Sequence, residues 1–362
     1  MPVREPLLVP TDRGVYCPPG GFHIDPWRAV ERAVVTHAHA DHLHPGSRCI
    51  LCSKDSEHVT RVRAGAGADL TTLGWGETVA INEVTVSVYP AGHILGSAQV
   101  RVEHGGEVWV ASGDYKFAPG AERPPDPTAV SFEPVRCDTF ITESTFGLPI
   151  FRWRDPWSII DEVLAWWRGC IEDGRNAIVF TYALGKAQRV MRMLAEAAGD
   201  AKGSELPGPI LVHGAMVAMC EAYERSGVVL PAWEKVTVES AKAHKGRALV
   251  IAPPSAGGTP WVRKLHPFSD ASVSGWSQIR GTRRRRAIDR GFVISDHADW
   301  PGILGAIEAS GCDSVGVTHG SVGPMSRYLN EHGVNAWVLP TRWEGEGADD
   351  TGDAEQEQET AG

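Results

Sequence analysis

What this 362-residue chain lacks narrows its class before any motif is read. No stretch approaches the roughly 20 consecutive apolar residues of a membrane-spanning helix, and the first residues carry no signal-peptide pattern. The expectation is a soluble, cytoplasmic protein with no membrane association. Its seven cysteines, Cys17, Cys49, Cys52, Cys137, Cys170, Cys220 and Cys312, are odd in number and scattered singly. With one C-x-x-C, at Cys49 and Cys52, they make neither a disulfide framework nor a zinc ribbon. No internal repeat is present, and the single low-complexity segment is C-terminal. Composition is otherwise globular, 42% hydrophobic and 22% charged. The length allows two domains or one large one, since domains run roughly 100–200 residues.

The net charge of −10 is unevenly placed. From Glu344 to Gly362 there are eight acidic residues, no basic one and no large apolar side chain, which predicts a disordered acidic tail. Ahead of it 37 acidic residues face 35 basic ones. Arg280–Arg290 reads RGTRRRRAIDR, six arginines with one aspartate, so overall acidity does not exclude a polyanionic partner. Guanidinium forks pair bidentately with phosphate oxygens, which makes Arg280, Arg283, Arg284, Arg285 and Arg286 candidate nucleic-acid contacts. A solvated basic surface or a localisation signal is the alternative.

The first 150 residues read as short strands joined by loops, at Ala33–Thr36, Ile50–Cys52, Val84–Tyr89, Gln99–Glu103, Glu107–Ser112 and Thr139–Thr142, several of them alternating at period two. From about Phe151 the texture changes to helical periods, at Pro156–Ile171 and Leu184–Ala197, around the apolar strand Ala177–Thr181. This region predicts α/β units with parallel strands. After Arg290, strands at Phe292–Ile294, Ser314–Val317 and Ala336–Leu339 alternate with helices at Trp300–Ala309 and Ser321–Glu331.

The strongest chemical signal is His37-Ala38-His39-Ala40-Asp41-His42, directly after an apolar strand. Three imidazoles and a carboxylate in six residues suit a borderline-soft divalent metal such as zinc. On a loop leaving a strand, His37 and His39 can face one ion while Asp41 and His42 reach a second. Further candidates follow other strands: His93 in PAGHILGSA, Asp114 in ASGDYK and His319 in VTHGS. Each alone reads equally as a solvated loop histidine or a common Ser-Gly-Asp turn.

H-x-H-x-D-H, followed by G-H and G-D after later strands, resembles the metallo-β-lactamase fold. Glu143 in TESTFG, His297 in SDHAD and His319 in THG resemble its nucleic-acid-processing β-CASP branch, as does FTYALGKAQRV at Phe180–Val190. More narrowly, PPSAGGTPW, SGWSQIRGTRRRR and DRGFVISDHADWPG look like the bacterial ligase-associated DNA exonucleases, and the likeness covers roughly residues 7–343. The resemblance implies an α/β protein: a metallo-β-lactamase αββα sandwich over 1–150 and 291–343, with an α/β β-CASP domain inserted at 151–290, then the tail at 344–362.

Carried onto this sequence, the resemblance implies two divalent ions, zinc or alternatively manganese. His37, His39 and His93 would hold the first, Asp41, His42 and His319 the second, with Asp114 bridging. Asp25, in FHIDP, would orient a ligand histidine, although an aspartate before Pro26 is also a good helix N-cap. The catalytic set comprises Asp41, His297 as general acid and Glu143 holding its imidazole. Without the resemblance, His297 reads equally as a helix-terminal histidine and Glu143 as a turn residue. Lys186, opening the expected helix after Gly185, is a candidate phosphate contact.

The function so implied is metal-dependent hydrolysis of DNA phosphodiesters: an exonuclease on single-stranded or processed ends in repair, leaving 5′-phosphates, in a pathway with an ATP-dependent DNA ligase and a helicase. An RNA-processing nuclease of the same fold is the alternative, because His319 is typical of RNA-processing β-CASP members. A small-molecule metallo-hydrolase is a more distant reading, which the inserted domain and His297 oppose. The expectation is a β-CASP protein without the extra C-terminal domain of ribonuclease J. Replacing Arg283–Arg286 by neutral residues is expected to weaken nucleic-acid binding across sequences and to flatten its salt dependence. Fluorescence-anisotropy titrations at several salt concentrations check this, and an unchanged slope would place the run away from the bound strand.

Overall fold

The structure, a computed structural model, describes residues 6–118, 126–279 and 288–341. Two compact units divide them: 6–118, 129–152 and 297–341 make the first, and 126–128, 153–279 and 288–296 the second. The acidic tail, Arg280 and Arg283–Arg286 lie outside the described residues.

The first unit holds two sheets. β1 (Val9–Pro10), β2 (Val15–Cys17), β3 (Phe22–Ile24), β4 (Arg32–Val34), β5 (Cys49–Ser53) and β6 (Asp69–Leu73) lie side by side in chain order, parallel from β3 onward. α1 (Glu57–Ala64) connects β5 to β6. The second sheet begins with the antiparallel run β7 (Thr78–Ile81), β8 (Val84–Pro90), β9 (Ala98–His104) and β10 (Glu107–Ala111). β11 (Thr139–Ser144) joins β10 in parallel, and β18 (Ser314–Gly320) and β19 (Asn335–Val338), which arrive after the second unit, extend it.

Period-two alternation sends neighbouring residues of these strands into two different cores. Trp109, Ala111 and Ile141 join Val34, Leu51, Val84, Val86 and Val88 in a core between the sheets. Val110, Phe140, Val315 and Val317 face the other way, onto Ile303, Ala306 and Ile307 of α6 (Trp300–Ser310) and Met325 and Leu329 of α7 (Val322–Glu331). With α1 against the first sheet, the layers run helix, sheet, sheet, helix, as the αββα expectation requires. The strands of this unit missed in the sequence are β1, β2 and β3, too short to show a period, and also β6 and β7.

The second unit is built on an all-parallel sheet in the order β14 (Trp233–Lys235), β13 (Ile210–Val212), β15 (Leu249–Ala252), β12 (Asn176–Phe180), β16 (Phe268–Val273) and β17 (Arg290–Phe292). The central strands β12, β13 and β15 are buried along their whole length, as strands covered on both faces are. The strand expected at Phe292–Ile294 is β17, and it pairs with β16 in this sheet.

Crossover helices α2 (Pro156–Glu172), α3 (Lys186–Ala198), α4 (Gly214–Arg225) and α5 (Val238–Ala243) complete the unit. α2 starts where Asp155 accepts from Trp157 N–H and Ser158 N–H, both at 3.2 Å, with Pro156 needing no donor partner in the first turn. Its Trp157, Ile160, Leu164 and Trp167, at helical spacing, are all buried. Trp167 is fully buried, and its indole N–H donates to Arg247 O at 3.1 Å. Trp167→Ala is therefore expected to cost about 3–5 kcal/mol. Urea unfolding checks this, and a loss below about 1 kcal/mol would mean that the surroundings collapse into the space.

Candidate metal centre

Every expected ligand lies in the first unit, on a loop or strand end at one edge of its two sheets. The first loop leaves β4, where Val35 N–H donates to Leu51 O at 2.8 Å, and then turns sharply as His42 and Leu43 N–H both reach His39 O. The loop after β8 is shaped by Ser97, whose hydroxyl accepts from His93 N–H at 2.9 Å and Ile94 N–H at 3.1 Å. Asp114 follows β10 through Gly113, which has φ +57° and lies so close to Thr36 that a Cβ would stand 2.6 Å from the threonine Cβ. Only glycine lets these two ligand-bearing loops approach this closely. His319, φ +54°, is the extra residue of a bulge: Glu143 pairs with Thr318 but Ser144 with Gly320. A bulge re-aims a side chain at a strand end.

Two groups converge. His37 Nε2 is 3.1 Å and His93 Nε2 3.2 Å from His39 Nδ1, and both lie within 3.9 Å of Asp114 Oδ2. His42 Nε2 is 3.3 Å from Asp114 Oδ2, and His319 Nδ1 is 3.5 Å from Asp114 Oδ1. Asp114 belongs to both groups, the position a bridging carboxylate takes. Asp41 stands beside the second, with Oδ2 3.8 Å from His42 Nε2.

The residues fit divalent ions on three counts. Ligand nitrogens about 2.0–2.1 Å from a tetrahedral ion lie about 3.3 Å apart, close to the spacings within the first group. His42 Nε2 and Asp114 Oδ1 are buried and make no hydrogen bond, whereas buried polar atoms almost always have a partner. The nitrogen and oxygen donors suit zinc or manganese alike.

Asp25 shapes the second group from behind. Its carboxylate accepts from Thr36 N–H at 2.8 Å, Thr36 Oγ1–H at 2.6 Å and His42 Nδ1–H at 2.7 Å. That bond fixes the tautomer that presents the His42 Nε2 lone pair. No helix follows Pro26, so the N-cap alternative is not what the structure displays. Thr36 has no counterpart in the sequence reading; its hydroxyl also lies 3.1 Å from His37 Nδ1, so it touches partners of both groups.

Electrostatics follow from crowding. Burial, and then the neighbouring histidines His42, His39 and His93, push His37 well below the usual imidazole range, leaving it neutral. Burial opposes charge on His42 as well, but Asp114, Asp41 and Asp25 outweigh it and lift its pKa well above normal. Asp114, against its own burial, is held well below the carboxylate range by His42 and His297, with His319 also close to its oxygens. Burial, partly offset by His42, raises Asp41.

Beside the groups, His297 Nδ1 lies 2.9 and 2.8 Å from the two Glu143 oxygens, and Tyr115 N–H donates to Glu143 Oε1 at 2.9 Å. Glu143, His297 and Asp114 offer atoms within 4.8 Å of one another. Phe146 packs edge-on against the His297 ring.

Lys186, expected to face a phosphate, is placed otherwise. It is fully buried in the second unit, its ammonium 3.4 Å from Asp296 and over the Tyr182 ring. Arg189, one turn on, is buried with it and pairs with both Asp296 and Asp126. The motif marks where the helix starts, but the charge it supplies is spent inside the unit.

No family profile matches the chain. A probable DNA ligase of Opitutus terrae is 29% identical over 337 residues, 92% of this chain and 31% of that protein. An RNase J-like protein of Methanocaldococcus jannaschii is 25% identical over 54% of this chain and 50% of its own length. Integrator complex subunit 11 of Danio rerio is 31% identical over 33% of this chain and 19% of its own. The chain thus spans half or less of the length of these relatives. A crystal structure of a protein of unknown function from Enterococcus faecalis matches with TM-score 0.56 at 13% identity, over 86% of this chain and 80% of that one.

Asp25→Ala should lower metal affinity about 10–100-fold by freeing the His42 ring. Competition with a chelator of known affinity measures it, and unchanged affinity would remove Asp25 from the ligand support.

Proposed function

Because the chain has the metallo-β-lactamase fold and resembles the β-CASP nucleases, we propose that it is a metal-dependent DNA exonuclease acting on single-stranded or processed ends in repair. The observation that carries the hydrolytic reading is the buried Glu143–His297 pair beside the two ligand groups. His37, His39 and His93 would hold one divalent ion and Asp41, His42 and His319 the other, with Asp114 available to both. When bound, such ions activate water at neutral pH and neutralise the charge of a phosphodiester.

The chain's own part is proton delivery. Glu143 accepts the His297 Nδ1–H and stabilises the imidazolium, whose Nε2–H is the proton given to a departing 3′-oxygen, leaving the neutral imidazole. The products are then a 3′-hydroxyl and a 5′-phosphate. Glu143 is a positioning residue, held in turn by Tyr115 N–H. Burial of His297 and Glu143, 3% and 1% exposed, keeps competing water away from the transfer.

The DNA assignment is supported by the relative named a probable DNA ligase, whose similarity extends over 92% of this chain. It also suggests work beside a DNA ligase. A second reading, RNA processing, is favoured by relatives named for RNA, including the endoribonuclease Ysh1 of Emericella nidulans, 30% identical over 35% of this chain.

Purified protein with zinc or manganese, given matched single-stranded DNA and RNA labelled at either end, tests the proposal. Faster loss of DNA supports it, with the order of label release giving the polarity; faster loss of RNA moves the protein to RNA processing. His297→Ala should keep its metal but lose about 10²–10⁴-fold in cleavage rate. Cleavage at the wild-type rate would remove His297 from the reaction.

A further inference from the structure

Two of the seven cysteines meet in the fold, far from the ligand groups along their strands. β11 and β18 are parallel neighbours, with Thr139 opposite Ser314. Cys137 and Cys312 each stand two residues before that pair, on the segments that lead into β11 and β18, and both side chains turn into the same core. The backbone keeps the two segments together here. Asp138 O accepts from Asp313 N–H at 3.0 Å and Ser314 N–H at 3.2 Å. Cys137 N–H donates to Ser310 O at 3.3 Å, and Cys312 N–H donates to Ser310 Oγ at 3.3 Å. Both side chains belong to the core beneath α6 and α7, Cys137 buried in it and Cys312 packed at its margin, and neither is oxidised. Backbone segments joined by hydrogen bonds in this way lie side by side, the arrangement that lets two cysteines approach bridging distance.

We propose that Cys137 and Cys312 are a redox-sensitive pair that closes to a disulfide when the protein meets a small-molecule disulfide oxidant, fastening the chain after the second unit to the chain before it. The first unit makes such a bond consequential. It is assembled from pieces on both sides of residues 153–296, and β18 is held to β11 without a covalent link nearby. The returning piece carries His297 and His319, so the bond would bolt both onto the sheet that carries Glu143.

The chemistry is two exchange steps with oxidised glutathione as the oxidant. Cys312, half-exposed, attacks first as its thiolate; its sulfur bonds to one glutathione sulfur and the other glutathione leaves as a thiolate. Cys137 then attacks the Cys312 sulfur and releases the second glutathione. Two protein thiols lose two electrons and two protons, and one glutathione disulfide becomes two glutathiones. Burial, with the nearby Cys312 thiol, pushes the Cys137 thiol up to about 12, so the second step is slow.

Incubation of the reduced full chain with oxidised glutathione, followed by non-reducing peptide mapping, tests the pair. The expected result is a cross-linked Cys137–Cys312 peptide with the loss of two hydrogen masses. It should come with a raised thermal midpoint that dithiothreitol reverses. Cys312→Ser, at the less buried position, should abolish both changes while its own midpoint matches that of the reduced wild type. A lasting single glutathione adduct on Cys312, or intact thiols at both positions after hours, would overturn the proposal.

Discussion

The site depends on keeping one buried carboxylate charged. Asp114 is 6% exposed, and an ionised carboxylate taken out of water is unstable unless cations or strong donors surround it. Ring nitrogens of His37, His42, His93 and His319 lie within 3.9 Å of its oxygens, and they meet this demand only in part. The same carboxylates raise the His42 pKa and so favour its charged form over the neutral one. A pair of divalent ions placed among these donors would meet the demand in full, and would also engage the His42 Nε2 and Asp114 Oδ1 atoms that bond to nothing else.

Holding that cluster is a task for rigid elements. Each ligand leaves a strand of the sandwich within a few residues, so its loop inherits the position of a packed sheet. The loops are then tied to one another: Gly113 lets Thr36 approach, Thr36 meets Asp25, and Asp25 holds His42. His319 is aimed by the bulge opposite Ser144, whose hydroxyl bonds back to the carbonyls of Thr318 and His319. The strain of φ +54° at His319 is the local cost of pointing that ring at Asp114.

The second unit uses charge in a different way. Lys186 and Arg189 are buried against Asp296 and Asp126, four groups that would be costly apart and are tolerated together. Removing one partner leaves the others uncompensated, so this network specifies one arrangement of α3 and the two segments it clasps. Cationic residues in a motif thus serve structure here.

The residues 37–42 by themselves marked a candidate metal site, because imidazole and carboxylate at that spacing have few other uses. Period-two and helical patterns likewise marked most longer strands and helices, since burying one face demands them. β1, β2, β3, β13 and β14 escaped because two or three residues show no period, and the longer β6, β7, β15 and β16 escaped as well. The resemblance already implied that Asp25 supports a ligand histidine and that Glu143 holds His297; only the tertiary structure decided that the histidine Asp25 serves is His42 and that Lys186 turns inward. It alone brought Cys137 and Cys312 into one core and put β17 in the sheet of the second unit. Those outcomes rest on contacts between distant segments, and a local pattern constrains which face a side chain takes but not which partner it will find there.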